Sequence, residues 1–260
     1  MKPQRIAYVF SRFPKVSETF LLREMNGLKA LGWEIDVFAL MRERTNTSHP
    51  GVDTFLARAQ FGSQQLLATV AANIRALATQ PLRYLGVLAR TLWHSWRSPT
   101  FLVRSLVAFP VAVRWAAIIR ARGIGQIHGT FASHAAYMAY VMSQMTGIPY
   151  SFTARAHDIY SNRTMLGEKI RKAALVVTIS HYNYRLLSGL YPDEAGKIHI
   201  VHGGIHIDQF GNLPKREASD GEGLRIACVA RLDEMKGIIY LVQACQELKA
   251  RKVAFTCVIV

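Results

Sequence analysis

Cysteine is scarce. Cys228, Cys245 and Cys257 are the only three in 260 residues. None forms a CxxC pair, which excludes a cysteine-built zinc site and a disulfide framework and points to a reducing cytosol. Long apolar runs free of charge are missing too. The nearest, residues 105–119, contains Pro110 and Arg114. It reads as too short to span a bilayer, so a soluble or peripheral protein is expected. The opening MKPQRIAYVFSRF passes from charge straight into a strand, without the apolar core and cleavage site of a signal peptide. GxxxxGKS, HExxH and GxSxG are absent, and so is a DxD carboxylate pair that would hold a nucleotide through a metal. The glycines of GIGQIHG precede a strand instead of following it, so they are no dinucleotide fingerprint.

Acid is missing over the middle third. Between Asp53 and Asp158 there is no acidic residue and no lysine, against ten arginines. The whole chain carries 32 Lys and Arg against 17 Asp and Glu, a formal charge of +15. Such an excess predicts an anionic partner: nucleic acid, an acidic membrane face or a phosphorylated substrate. Arg83, Arg90, Arg97 and Arg104 recur every seven residues. On a helix that spacing falls about 20° short of two turns and draws a slowly drifting stripe. Pro99 prevents one straight helix from carrying all four. Trp93, Trp96, Phe101 and Trp115 lie among them. Arginine with interfacial tryptophan is the composition of a surface that rests on anionic lipid. The bland alternative is a set of solvated helix faces over a core. Nucleic acid is the weaker partner, because no stacking platform or known motif is visible.

What is present is an alternation of strands and helices. RIAYVF is a buried strand, SETFLLREMNGLKALG a helix with Ser17 available as N-cap, and WEIDVFAL a second strand. Strand, helix and strand within forty residues make a parallel βαβ unit. Residues 63–122 interrupt the rhythm as two or three arginine-rich helices divided near Pro81 and Pro99. It resumes with strands at IGQIHG, PYSFT, LVVTIS and KIHIV, separated by helices. The expected fold class is α/β, with a Rossmann-like parallel sheet in a first domain over residues 1–210. Residues 211–223, GNLPKREASDGEG, read as a linker. Residues 224–260 then give one β-α-β unit, too small to stand alone. They are expected to be the start of a second, truncated domain.

Three stretches fall where loops follow strand ends, the edge at which parallel sheets bind ligands. In RIACVARLDEMKG, Arg231 offers a planar fork for phosphate oxygens and Lys236 a point charge near a helix start. An ordinary solvated turn is the alternative. In SFTARAHDIY, His157 could donate to a substrate hydroxyl, and Asp158 could hold its tautomer or simply cap the next helix. In SRFPKVSETF, Ser17, Glu18 and Thr19 open a helix whose amides could meet sugar hydroxyls or an anion; plain capping serves equally for Ser17. His199, His202 and His206 form HxxHxxxH, but they straddle a strand end and a Gly-Gly turn, so no metal site is expected.

FPKVSETFLLREM, IHGTFASHAAYMAYVMSQMTGIPYSFTARAHDIY, LVVTISHYN, KIHIVHGGIHIDQF and VARLDEMKGIIYLVQAC together resemble the family-four glycosyltransferases of the GT-B fold, above all the branch that builds exopolysaccharide such as colanic acid. They cover the chain except its arginine-rich middle. The resemblance implies two Rossmann-like domains, a UDP- or GDP-linked sugar donor as substrate, a lipid-linked or cell-surface polysaccharide acceptor, and retaining, metal-independent transfer with no cofactor. It implies that Arg231 and Lys236 neutralise the leaving diphosphate and that His157 meets the transferred sugar. Ser17, Glu18, Thr19 and Asp158 would border the acceptor, and Gly203 and Gly204 would form the turn at the domain junction. Arg155 and Thr130 stand where many relatives have histidine, which bears on acceptor choice. The Glu-x7-Glu region that completes the family's donor site is not within residues 1–260, so the isolated chain is expected to be inactive. Its expected location is the inner face of the cytoplasmic membrane. The alternatives are a non-catalytic membrane-surface or partner-binding module and, more remotely, a GT-B-type epimerase.

Overall fold

The structure, a computed structural model, describes residues 4–43, 51–205, 207, 211 and 223–260, with the side chains of Val16 and His157 excepted. Chain contacts divide it into two compact units, Met1–Gly204 and Ile205–Val260.

The first unit is built on seven strands: β1 (Arg5–Phe13), β2 (Glu34–Arg42), β3 (Gln60–Phe61), β4 (Gln126–Gly129), β5 (Tyr150–Ala154), β6 (Leu175–Thr178) and β7 (Ile198–Ile200). They lie in the order β3-β2-β1-β4-β5-β6-β7, and every neighbouring pair is parallel. The expected α/β class holds. Strand order reverses between β1 and β4, so a crevice opens outside their carboxyl ends, where doubly wound sheets take their ligands.

Each sheet face has its own core. On one face, α1 (Thr19–Ala30) and α2 (Val52–Leu56) cover Ile6, Tyr8, Phe10 and Val37 with Leu21, Leu22 and Met25. The other face carries Ala7, Val9, Ile127 and Phe152 against α5 (Pro99–Ala121) and α6 (His134–Thr146). Gly129 ends β4 where a Cβ would meet Ala136 Cα at 2.8 Å. Only glycine lets the strand end approach α6 this closely.

The arginine-rich stretch forms α3 (Leu66–Thr79), α4 (Pro81–Ser95) and α5. Pro81 and Pro99 each occupy the first helical turn, where a missing N–H costs nothing. Asn73 of α3 ties the three together. Its Nδ2 donates to the Pro110 carbonyl of α5 at 2.9 Å, and its Oδ1 accepts from the Tyr84 hydroxyl of α4 at 3.1 Å. The 105–119 run is part of a 23-residue helix long and apolar enough to cross a bilayer, which corrects the reading that it falls short. Its most apolar window is 56% buried within the fold, Trp115 completely, so it serves as a core helix.

Two further expectations are corrected. Ser17 makes no capping hydrogen bond. It lies in a 3-10 turn, Val16–Glu18, and α1 starts at Thr19. Phe101 and Trp115 belong to the core, which leaves Trp93 and Trp96 as the exposed tryptophans of that stretch.

The second unit contains β8 (Leu224–Cys228), α10 (Ile238–Ala250) and β9 (Phe255–Ile259). β8 and β9 pair in parallel, and no described residue of this unit is buried.

Candidate functional site

The crevice at the carboxyl ends of β1, β4 and β5 is polar because the strands place unlike residues on alternate faces. Tyr8, His128, Ser151 and Thr153 share one face, as their register requires. The Tyr8 hydroxyl donates to Glu24 Oε1 of α1 at 2.8 Å. Arg155, just past β5, donates to Glu24 Oε2 at 3.3 Å and stacks over the Phe20 ring at 4.3 Å. Glu24 thus joins α1 to the β5 loop across the switch point.

His128 lies beneath them, with Nδ1 at 2.8 Å from Ser151 Oγ and Nε2 at 3.1 Å from Thr153 Oγ1. Burial pushes its pKa down to about 4, with nearby Glu24 opposing and Arg155 assisting. At neutral pH the ring is uncharged. It is a hydrogen-bonded floor for the crevice and no source of positive charge.

Asp158 stands at the start of the four-residue α7 (His157–Tyr160). Its carboxylate accepts the backbone N–H of Ala132 at 2.7 Å, of Ala156 at 2.8 Å and of Arg155 at 3.2 Å. The side chain is buried. It holds the loops after β4 and β5 together, in place of capping a following helix. From the other side Lys169 of α8 (Leu166–Lys172) donates to the Ala132 carbonyl at 2.5 Å. One peptide turn is therefore clamped through both of its neighbouring polar groups. Asn183 Nδ2 of α9 (His181–Leu190) fixes the Arg155 carbonyl at 2.5 Å.

His157 is the first residue of α7, immediately after Arg155 and Ala156, whose N–H groups Asp158 accepts. Of the SETF stretch, Ser17 is exposed while Glu18 and Thr19 are half-buried. Glu18 accepts from Lys15 Nζ at 3.1 Å. Desolvation raises its pKa, with the Lys15 ammonium working against the shift. Glu18, Glu24 and Asp158 thus gather around Arg155 and Lys15, a mixed-charge rim that suits a polyhydroxylated ligand.

Arg231 and Lys236 belong to the second unit, on the connection from β8 to α10. Both are exposed. Arg231 lies 4.0 Å from the Asp233 carboxylate, which itself accepts the Met235 N–H and caps a short 3-10 turn, Glu234–Lys236. Gly237 then takes φ +63° to start α10.

Among the described residues no group of three His, Cys, Asp or Glu could hold a metal; His206 lies outside them. The membrane-facing candidates Arg83, Arg90, Arg97, Arg104, Trp93 and Trp96 are all exposed on α4, α5 and the turn between them. Two other arginines of the acid-free stretch are structural. Buried Arg114 donates to the Phe61 carbonyl at 3.0 Å and to that of Gln64, and Arg122 pairs with buried Asp36. Sequence reasoning missed Tyr8, Glu24, His128 and Lys169. For Tyr8 and His128 the available signal was a polar residue at a same-parity position of an otherwise apolar strand; Glu24 and Lys169, on helices, carry no such signal.

No family model matches the chain. It is 24% identical to the protein named colanic acid biosynthesis glycosyltransferase WcaL of Escherichia coli K12, over 96% of this chain and 62% of that protein. The same identity and coverage hold for WcaL of Salmonella typhimurium LT2. The chain thus spans about three fifths of the length of the curated relatives it matches. A crystal structure of a glycosyltransferase from Rickettsia africae aligns with all of this chain and 60% of its own, at TM-score 0.59 and 15% identity, a likeness of fold. The chain is thus similar along nearly its whole length to proteins named as glycosyltransferases of colanic acid biosynthesis, and it shares its fold with a solved glycosyltransferase.

Proposed function

We propose that the chain belongs to an enzyme that transfers a sugar from a UDP- or GDP-linked donor to a lipid-linked or cell-surface polysaccharide acceptor, with retention and without a metal. The observation that carries this reading is the sequence likeness to colanic acid glycosyltransferases over 96% of the chain. The crevice supports it physically. Asp158 and Asn183 fix the turn from which His157 leaves β5, and a transferred sugar needs a donor group held still near its anomeric carbon. Ser17, Glu18 and Thr19 line the loop after β1 as acceptor contacts. Asp158 acts on that side as a positioning residue through the loop amides it accepts. In the second unit Arg231 and Lys236 meet the diphosphate, where negative charge builds as the glycosidic bond breaks.

The test is chromosomal His157→Ala in the source cell, read by analysing lipid-linked intermediates. An intermediate one sugar short should accumulate; unaltered polysaccharide would sink the proposal. Residues 1–260 purified alone should release no nucleoside diphosphate from UDP- or GDP-sugars, since their second unit offers a single β-α-β layer to the nucleotide.

A second reading, a membrane-surface module, is favoured by one feature. Helices α3–α5 expose Leu66, Leu67, Ile74, Trp93, Trp96 and Val107, each by 61% or more, beside the exposed Arg83, Arg90, Arg97 and Arg104. Apolar side chains rimmed by arginine match an anionic bilayer surface. The exposed surface serves an enzyme and a non-catalytic module alike, and either would be placed peripherally on the inner face of the cytoplasmic membrane.

A further inference from the structure

We propose that the amino edge of the seven-stranded sheet carries a seat for one anionic phospholipid, apart from the crevice at the carboxyl edge. Three contiguous hollows make it up. The first is a groove of about 730 Å³ between α4, the end of α6 and the end of α8, lined by Arg83, Arg90, Arg171, Lys172 and Lys197 with no carboxylate in its wall. Two of these cations are committed. Arg171 pairs with buried Glu168, and Lys197 pairs with Glu194 at 2.6 Å. Arg83, Arg90 and Lys172 have no ion-pair partner among the described residues, and Arg90 lies near the Tyr140 hydroxyl. Three like charges facing one concavity repel each other unless an anion joins them. A phosphate is the anion that guanidinium forks match best.

The second hollow, about 610 Å³, runs between α3 and α5 and is walled by Ala71, Ala72, Ala76, Val113, Ala116 and Ala117. The third, about 470 Å³, joins them. It shares Thr79, Gln80 and Arg120 with the alanine trench, and Leu82 and Arg83 with the basic groove. Gln80 Oε1, at this junction, is shielded from solvent without a hydrogen-bond partner, and Leu82 stands 88% exposed over its mouth. A free phosphate would fill the groove and leave the trench to water. A phosphate carrying an acyl chain fills both, and each hollow by itself has the roughly 300–1,000 Å³ of an ordinary ligand site. The lipid as source rests on the membrane reading above; the phosphate seat itself does not.

The experiment titrates the chain with dihexanoyl phosphatidylglycerol, short enough to stay monomeric, and separately with inorganic pyrophosphate. One lipid should bind per chain. Arg83→Ser with Lys172→Ser should weaken both ligands at least tenfold, whereas Ala117→Trp, plugging the trench, should weaken the lipid tenfold and spare pyrophosphate. Unchanged thermal transitions confirm that the variants fold. No lipid binding, or lipid binding indifferent to both variants, overturns the seat. Pyrophosphate binding with no effect of Ala117→Trp overturns the lipid in favour of a soluble phosphate ester. Sedimentation with large anionic vesicles tests the membrane reading independently through Trp93→Ser with Trp96→Ser. Vesicle binding that depends on these tryptophans, without short-lipid binding, leaves that reading standing and sinks this one.

Discussion

Lys169 is the most demanding residue of the first unit. Its ammonium is fully buried, with the Ala132 carbonyl at 2.5 Å and the Phe101 ring face at 5.3 Å. Desolvation lowers its pKa from 10.5 to about 7, although the nearby Asp158 carboxylate favours the charged form. The unfolded chain therefore holds this proton up to about pH 10.5, while the folded chain releases it near 7. Between those values the unfolded state binds more protons, so stability rises with pH, by up to about 1.4 kcal/mol per unit from this group. Urea unfolding at pH 7, 8 and 9 should show that rise in the wild type and lose most of it in Lys169→Met. Equal slopes in the two proteins would mean that the ammonium is solvated. Nothing local in GEKIRKA distinguishes Lys169 from its neighbours Arg171 and Lys172. Its burial depends on Ala132 and Phe101, far away in the chain. The pairing of Glu24 with Arg155 was equally hidden, the two being 131 residues apart, whereas Arg231 and Lys236 could be singled out because one turn holds both.

Elements were more legible where a local rule governs them. Proline can open a helix but not continue one, and α4 and α5 begin at Pro81 and Pro99. Two-residue β3 has no period to read, and Ser17 lost its capping role because the chain makes a 3-10 turn before α1. The sequence also cannot separate the tryptophans, since α4 and α5 share one composition and differ in what covers them. Trp115 is fully buried on α5, edge-on to Phe38 at 5.5 Å. Trp93 on α4 is 75% exposed. Trp115→Ala should therefore cost about 3–5 kcal/mol of unfolding free energy, and Trp93→Ala no more than about 0.5 kcal/mol. Denaturant titration of the two variants checks this contrast. A comparable loss at both sites would show that α4 packs its outer face, against its assignment as a lipid-facing surface.

At the scale of the molecule, every buried hydrophobic side chain among the described residues lies between Ile6 and Ile198. Both core clusters, and the seven-stranded sheet that separates them, fall within Met1–Gly204. The second unit has two strands and one helix of 13 residues. A pair of strands under a single helix excludes too little water to offset the conformational entropy of ordering it. The sequence suggests a linker at polar, glycine-rich residues 211–223, because they carry no period that a strand or helix could use, whereas chain contacts divide the two units at Gly204. Excised residues 1–204 should accordingly unfold as one cooperative transition, with a midpoint within about 4 °C of the whole chain's, the shift that about 1 kcal/mol produces at this size. Excised residues 205–260 should give the circular dichroism of an unfolded chain. A cooperative melt from that second fragment would assign it a core of its own, and Arg231 and Lys236 would then sit on a preformed scaffold. An unfolded fragment would instead make their spacing depend on whatever orders the unit, so that the proposed diphosphate binding at this turn and folding of the unit become a single equilibrium.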